Sequence, residues 1–279
     1  MPDMNLLWLR VAAVFYAAGL VRTLGSIFRA RYADPPEAPL PPGNAVLGSF
    51  AVGAILHCVS IVERAIHVQH LPADNFFETM SLLGFLLAIV FLLVQWRYQF
   101  SSLGILLFPV VSLLTGIAST ESPVSSWADE RVRGAWLIVH VLMILLGIVS
   151  VCLTSGASIF YLVQERKLKQ KDLAGASRLP SLGVLDSLIN RAMGLGFVFT
   201  TLGVLAGTTW AYIESGTRWL SNSNVLIAIF TWLFYLLMVF LRANQGWRGR
   251  KTAFMALGLL GFSALTWFTH IGLRTTLSK

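Results

Sequence analysis

About eight stretches of predominantly apolar residues follow one another along this chain, at 6–28, 45–66, 76–98, 103–119, 135–164, 192–213, 225–242 and 253–273. A helix needs roughly 20 such residues, each rising about 1.5 Å, to cross a bilayer. Hydrocarbon offers no water to satisfy backbone N–H and C=O groups, so only helices and closed barrels span it. Unbroken apolar runs select helices. The expected fold is therefore all-α, a polytopic membrane protein of about eight transmembrane helices forming one domain over 1–279, because no connector is long enough for a separate folded domain. Composition agrees, with only 12% of residues charged against about a quarter in soluble domains.

The basic residues alternate from connector to connector. Arg29 and Arg31 follow the first segment and Arg97 stands at the end of the third. Arg166, Lys167, Lys169, Lys171 and Arg178 follow the fifth, and Arg248, Arg250 and Lys251 the seventh. The remaining connectors hold His67, His70, Asp74, Glu121, Asp129 and Glu214 with fewer cations, Arg131 and Arg133 being the exception. By the positive-inside bias, both termini and the stretch 210–232 face outward and the basic connector 165–191 is cytoplasmic. A multi-pass protein of the cell inner (cytoplasmic) membrane is expected. The net charge of +8 is thus read as topological, with the run Arg166 to Lys171 facing anionic membrane lipid and no nucleic acid among the partners. The first segment lacks a basic leader pattern and is expected to stay in the protein. Five prolines within 33–42 suggest a semi-rigid linker. Leu179 to Asp186 suits a helix lying at the inner surface, and the small residues Gly147, Ser150, Thr154, Gly156 and Ser158 suggest close helix contact. Cys58 and Cys152 are read as small core residues.

Candidate functional groups converge on the outward side. The stretch 210–232 is an inter-helix loop carrying Trp210, Glu214, Gly216, Arg218, Trp219 and Trp232. His140, seven residues past Arg133, lies ~10 Å below the outer surface, and His270, nineteen past Lys251, lies ~28 Å above the inner one. Two imidazoles beneath an aromatic platform suit axial ligation of haem iron. The same residues also fit an interfacial aromatic belt and histidines that bond helix to helix. Elsewhere, His57, Glu63 and Arg64 form an intramembrane polar cluster, read first as packed and satisfied. Arg10 and Arg22 are expected to snorkel or to pair with Glu78 or Asp3. No catalytic triad, phosphate-binding glycine loop or H-E-x-x-H is present, so no enzyme is indicated.

Several motifs in order give the chain a resemblance. His70-Leu71-Pro72-Ala73-Asp74-Asn75-Phe76-Phe77-Glu78 resembles H-F-P-x-x-N-x-Y-E, and Trp136 with His140 resembles W-x-x-x-H. Tyr161 to Arg166 resembles Y-L-x-Q-E-R, Leu179 to Asp186 resembles L-P-S-L-E-V-L-D, and Gly246 to Arg250 reads G-W-R-G-R. Trp210, Ala211, Gly216, Trp219, Thr231 and Trp232 keep the spacing of an outward W-A-x-x-A-W-G-x-Y-W-x-W-D-P-K segment. Together these resemble the CcsA/CcmC cytochrome c assembly family of haem-handling membrane proteins, in its eight-helix form. The resemblance implies haem b as cofactor at the outer face, with His140 matching one axial ligand and Trp210, Trp219 and Trp232 matching the aromatic platform; His270 is the substitute available for the other axial position, and Arg218 either faces a propionate or faces water. Apocytochrome c and other cytochrome c assembly membrane proteins are the implied partners. Ser221, Asn222, Ser223 and Asn224 replace W-D-P-K, and the family's second axial histidine would fall near Ser278. A HemX-like scaffold acting on a tetrapyrrole-synthesis enzyme through 165–191, and a structural subunit of a larger membrane complex, are the alternatives.

Overall fold

The computed structural model describes residues 4–32, 43–73, 75–120, 135–172, 179–215 and 223–277, without the side chains at 27, 30–32, 101, 135, 214, 215, 223, 224 and 268–277. Among these residues there is no strand. The helices are α1 (Met4–Tyr32), α2 (Asn44–Val68), α3 (Phe76–Tyr98), α4 (Gly104–Ala118), α5 (Ala135–Lys169), α6 (Leu182–Ser215), α7 (Ser223–Asn244) and α8 (Arg250–Leu277), with a 3-10 turn at Ser101–Leu103. Six have described stretches long and apolar enough to cross a membrane, and α4 is a shorter apolar helix of 15 residues. The chain is an all-helical polytopic membrane protein.

Two compact units divide it, one built on α1–α4 and the other on α5–α8. In the first, α1 packs on α2 and α4, and α3 on α4 and α2. Its centre is aromatic: Phe50 stacks on Phe108 at 4.4 Å and meets Tyr16 at 4.7 Å and Phe91 at 5.3 Å. Rings in this range bury large apolar area and gain from tilted or edge contacts besides.

The motif before α3 explains itself here. Asn75, in extended backbone, accepts the N–H of Glu78 on its side-chain oxygen at 2.9 Å, an N-cap of the usual kind. Glu78, now buried at the helix start, receives Arg64 Nη2 at 2.9 Å and Nε at 3.0 Å. Glu78 is thereby paired with Arg64, while Arg10 Nε donates to the carbonyl of Ser119 at 3.4 Å, past the end of α4. Asp3 lies outside the described residues. Asn75→Ala should lower stability by about 1 kcal/mol, whereas Asn75→Ser, which keeps a capping oxygen, should lose only part of that. Thermal unfolding in detergent reads the difference.

In the second unit, α5 lies against α6 and α8, and α7 closes the ring against α6 and α8. The contacts of His140 with Gly207, Ile144 with Gly203 and Gly147 with Thr200 step in opposite directions along α5 and α6, so the two run antiparallel. Small residues let them come close, as expected at Gly147 and Ser150. A methyl on Gly147 would meet Thr200 Oγ1 at 2.5 Å, and one on Gly196 would meet Ser150 Cβ at 2.7 Å.

Two expected loops shrink. Within 210–232, residues 210–215 continue α6 and 223–232 belong to α7, so both Trp210 and Trp232 stand on helices, and 216–222 lie outside the described residues. Helical backbone satisfies its own polar groups in apolar surroundings, and nothing between Thr208 and Ile213 breaks it. In 165–191, no separate surface helix is found among the described residues, 173–178 lying outside them. α6 begins at Leu182, where the Ser181 hydroxyl accepts the N–H of Val184 at 3.4 Å, and runs on for 34 residues. Leu185, Leu188, Ile189, Ala192 and Met193 are buried at helical spacing, so one face carries straight on. At ~51 Å this helix exceeds a ~30 Å hydrocarbon layer. Arg166, Lys167 and Lys169 fall in the last turn of α5, where cations suit the helix dipole.

Candidate functional site

His140 sits in the second turn of α5, half-buried against α6. Its Nδ1 lies 2.7 Å from the carbonyl oxygen of Gly203. A carbonyl accepts only, so Nδ1 carries the proton and the lone pair of the neutral ring is on Nε2. The ring lies across Gly207, where an added methyl would stand 2.6 Å from Cε1 and overlap Nδ1. Gly203 is equally confined, its own added methyl falling 2.7 Å from Ile144 Cδ1. The imidazole is thus held by main chain from one side.

Trp210 follows Gly207 by three residues, one turn nearer the same end of the unit. Its indole Nε1 is buried and has no hydrogen-bond partner. An orphaned buried donor is uncommon and asks for an acceptor. Trp232 is placed differently: Nε1 donates to Thr201 Oγ1 at 3.0 Å and the ring stacks on Phe197 at 6.2 Å. It braces α7 against α6. His270 has its backbone in α8, one turn beyond Thr266, whose hydroxyl is 2.6 Å from that of Thr231. Thr231 with Thr266 and Phe234 with Gly258 set α8 antiparallel to α7, and Trp232 with Thr201 and Tyr235 with Met193 set α7 antiparallel to α6, so that turn leads toward the end of the unit where His140 stands. The side chain of His270, and all of Arg218, Trp219, Ser221 and Asn222, lie outside the described residues.

At the opposite end, sequence reading missed a polar clamp. Arg242 donates through Nη2 to Asp186 Oδ2 at 2.8 Å, through Nη1 to Oδ1 at 3.2 Å and through Nε to Asn190 Oδ1 at 2.8 Å. Asp186 Oδ1 also receives the N–H of Gly249 at 3.4 Å. Gly249 has φ +64, and a methyl on it would meet the Tyr161 hydroxyl at 2.5 Å, so glycine is required twice over. The L-P-S-L-x-V-L-D and G-W-R-G-R motifs therefore meet through Asp186. Their joint presence in the sequence was the available signal.

In the first unit His57 is fully buried, with Nε2 2.9 Å from Ser81 Oγ and Nδ1 lacking a partner. Ser81, Ser60, Asn5, Arg64 and Glu78 line a cavity of ≈ 30 Å³ beside it. The expected cluster is packed, yet not wholly satisfied, and its acid is Glu78 rather than Glu63.

Metal-binding chemistry narrows the site further. Among the described residues no group of three or more His, Cys, Asp or Glu comes together, so His140 belongs to no protein-only metal centre there. Haem brings four nitrogens of its own and asks for only one or two axial ligands, which a histidine with Nδ1–H bonded to a backbone carbonyl is suited to provide. Fold and site together define a polytopic helical membrane protein with a histidine held against main chain near one end of a four-helix unit. A family model described as cytochrome C assembly protein matches residues 73–277, and the chain belongs to that family. It is 27% identical over 239 residues to the cytochrome c biogenesis protein CcsA of Heterosigma akashiwo (strain NIES-293 / 8280G21-1), covering 73% of each chain. Similarity to CcsA of Trieres chinensis is 29% over 258 residues, with 81% of this chain and 82% of the relative covered. For CcsA of Prochlorococcus marinus (strain MIT 9301) the figures are 26% over 211 residues, 67% and 68%. No solved structure matches the chain.

Proposed function

We propose that this chain handles haem for cytochrome c biogenesis, taking haem b as its ligand through Nε2 of His140 and presenting it for attachment. Membership of the cytochrome c assembly family supports the reading, and the observation that carries it to a residue is the Nδ1–H bond from His140 to Gly203. Trp210 offers its buried indole N–H to an acceptor on the ligand, and His270, on the neighbouring α8, is the candidate for the second axial position. Arg218 and Trp219, in the short connection between α6 and α7, would face the propionates and the macrocycle edge. Trp232 contributes at one remove, by fixing α7 against α6. Haem supplies vinyl groups that accept the cysteine thiols of apocytochrome c. The protein's part is to bind, orient and shield.

By the alternation of basic connectors this site faces outward from the inner (cytoplasmic) membrane, where apocytochrome c and other assembly membrane proteins would meet it. The biogenesis relatives favour this role over tetrapyrrole regulation. A strain lacking the chain should show no covalently bound haem on its c-type cytochromes by peroxidase staining, and the intact gene should restore it. Undiminished staining in the deletion strain would count against the function.

A further inference from the structure

We infer that Gly203 and Gly207 are positioning residues for His140, fixing its Nδ1–H tautomer and so selecting Nε2 as the ligating atom. This deepens, and rests on, the proposed role of His140 as a haem ligand. A helical carbonyl already accepts the N–H four residues on, so Gly203 C=O is engaged by Gly207 within α6. Its second lone pair is open to an outside donor only where nothing covers the turn above it. A Cβ at 207 would cover it, and a methyl there collides with Nδ1 and Cε1 of the imidazole. The absence of a side chain at 207 is therefore what admits the ring to the carbonyl.

Gly203 does the complementary work. Ile144, one turn along α5 from His140, packs where a Cβ at 203 would be, with Cδ1, Cγ1 and the backbone N at 2.7, 2.9 and 3.1 Å. Close approach of the two backbones at Gly203 sets the 2.7 Å reach of Nδ1 to the oxygen. The sequence Gly203-Val204-Leu205-Ala206-Gly207 has the small-xxx-small spacing by which membrane helices pack tightly. Here the groove takes a histidine ring as well as a neighbouring helix. A backbone acceptor cannot be protonated or turned away, so it imposes one tautomer where a side-chain hydroxyl would allow either. Outer-shell partners of this kind typically alter ligand strength 10- to 100-fold when lost.

The test begins without haem. Protein labelled with ¹⁵N-histidine, with His140 assigned by the signal missing from His140→Ala, should show a protonated Nδ1 and an unprotonated Nε2. In Gly207→Ala that pattern should average between tautomers or reverse. Haem titration should then show binding about 10- to 100-fold weaker in Gly207→Ala. A wild-type spectrum with Nε2 protonated overturns the inference, and so does a folded Gly207→Ala with unchanged tautomer and affinity. The wild-type spectrum decides even where Gly207→Ala fails to fold. An Nδ1–H tautomer in a protein whose haem spectrum is indifferent to His140→Ala leaves the positioning standing and removes the ligand role.

Discussion

A chain carrying His140→Ala should purify folded but fail to give the low-spin haem spectrum of the unaltered protein, with haem affinity reduced at least about 100-fold. The expected effect exceeds that of any second-layer substitution, which typically costs 10- to 100-fold, because the iron loses a ligand rather than a ligand's support. The fold loses the helix-to-helix hydrogen bond to Gly203, worth about 0.5–1.5 kcal/mol. Circular dichroism and thermal unfolding should therefore change little while the Soret and visible bands change greatly. Free imidazole provides the control. Removing the ring leaves space over Gly207, and imidazole added at millimolar concentration should restore part of the low-spin spectrum by standing where His140 stood. His270→Ala should weaken binding through the other face of the macrocycle. An absorption spectrum in His140→Ala identical to that of the starting protein would remove His140 from the site.

The second large effect is on stability. Arg242→Ala should lower unfolding free energy by about 2–4 kcal/mol, less than the largest losses known for fully buried pairs because Asp186 keeps a quarter of its side chain exposed. Arg242 itself is nearly buried, at 8%. The substitution strands the Asp186 carboxylate with only the long Gly249 N–H for company and leaves Asn190 without its donor. Exposed ion pairs contribute about 0–1 kcal/mol, so the size of the loss discriminates between a clamp and a surface pair. Asp186→Asn, which keeps an acceptor for Gly249, should cost less than Asp186→Ala. In a double-mutant cycle, Asp186→Ala with Arg242→Ala should lose clearly less than the two single changes added together. Additive losses would show that the two side chains act independently.

Much of this molecule is legible in its sequence. The eight apolar runs match the eight α-helices found among the described residues, and most boundaries fall within a few residues of the expected ones, α3 on both. His140 could be named from its depth and from the W-x-x-x-H spacing. The sequence left two readings of that residue open, as a haem ligand and as a helix-bonding histidine. In the structure Nδ1 bonds the Gly203 carbonyl, as a helix-bonding histidine does, and ligation through Nε2 is what we propose beside it. The tryptophans were less legible. Both belong to the aromatic-rich stretch, yet Trp210 holds an unpartnered buried donor while Trp232 spends its N–H on Thr201.

What the sequence determined by itself is whatever is decided locally. A chain in hydrocarbon must satisfy each backbone polar group within its own segment, so apolar length alone sets where the helices lie. What only the tertiary structure decided is which faces meet. Asp186 and Arg242 stand 56 residues apart, and His140 and Gly203 63 apart. Whether they touch depends on each helix's rotation about its axis and on its register against its neighbour. Those are set by side chains packing across the whole unit, by small residues such as Gly203 and Gly207 that let two backbones close, and no short stretch of sequence contains that sum.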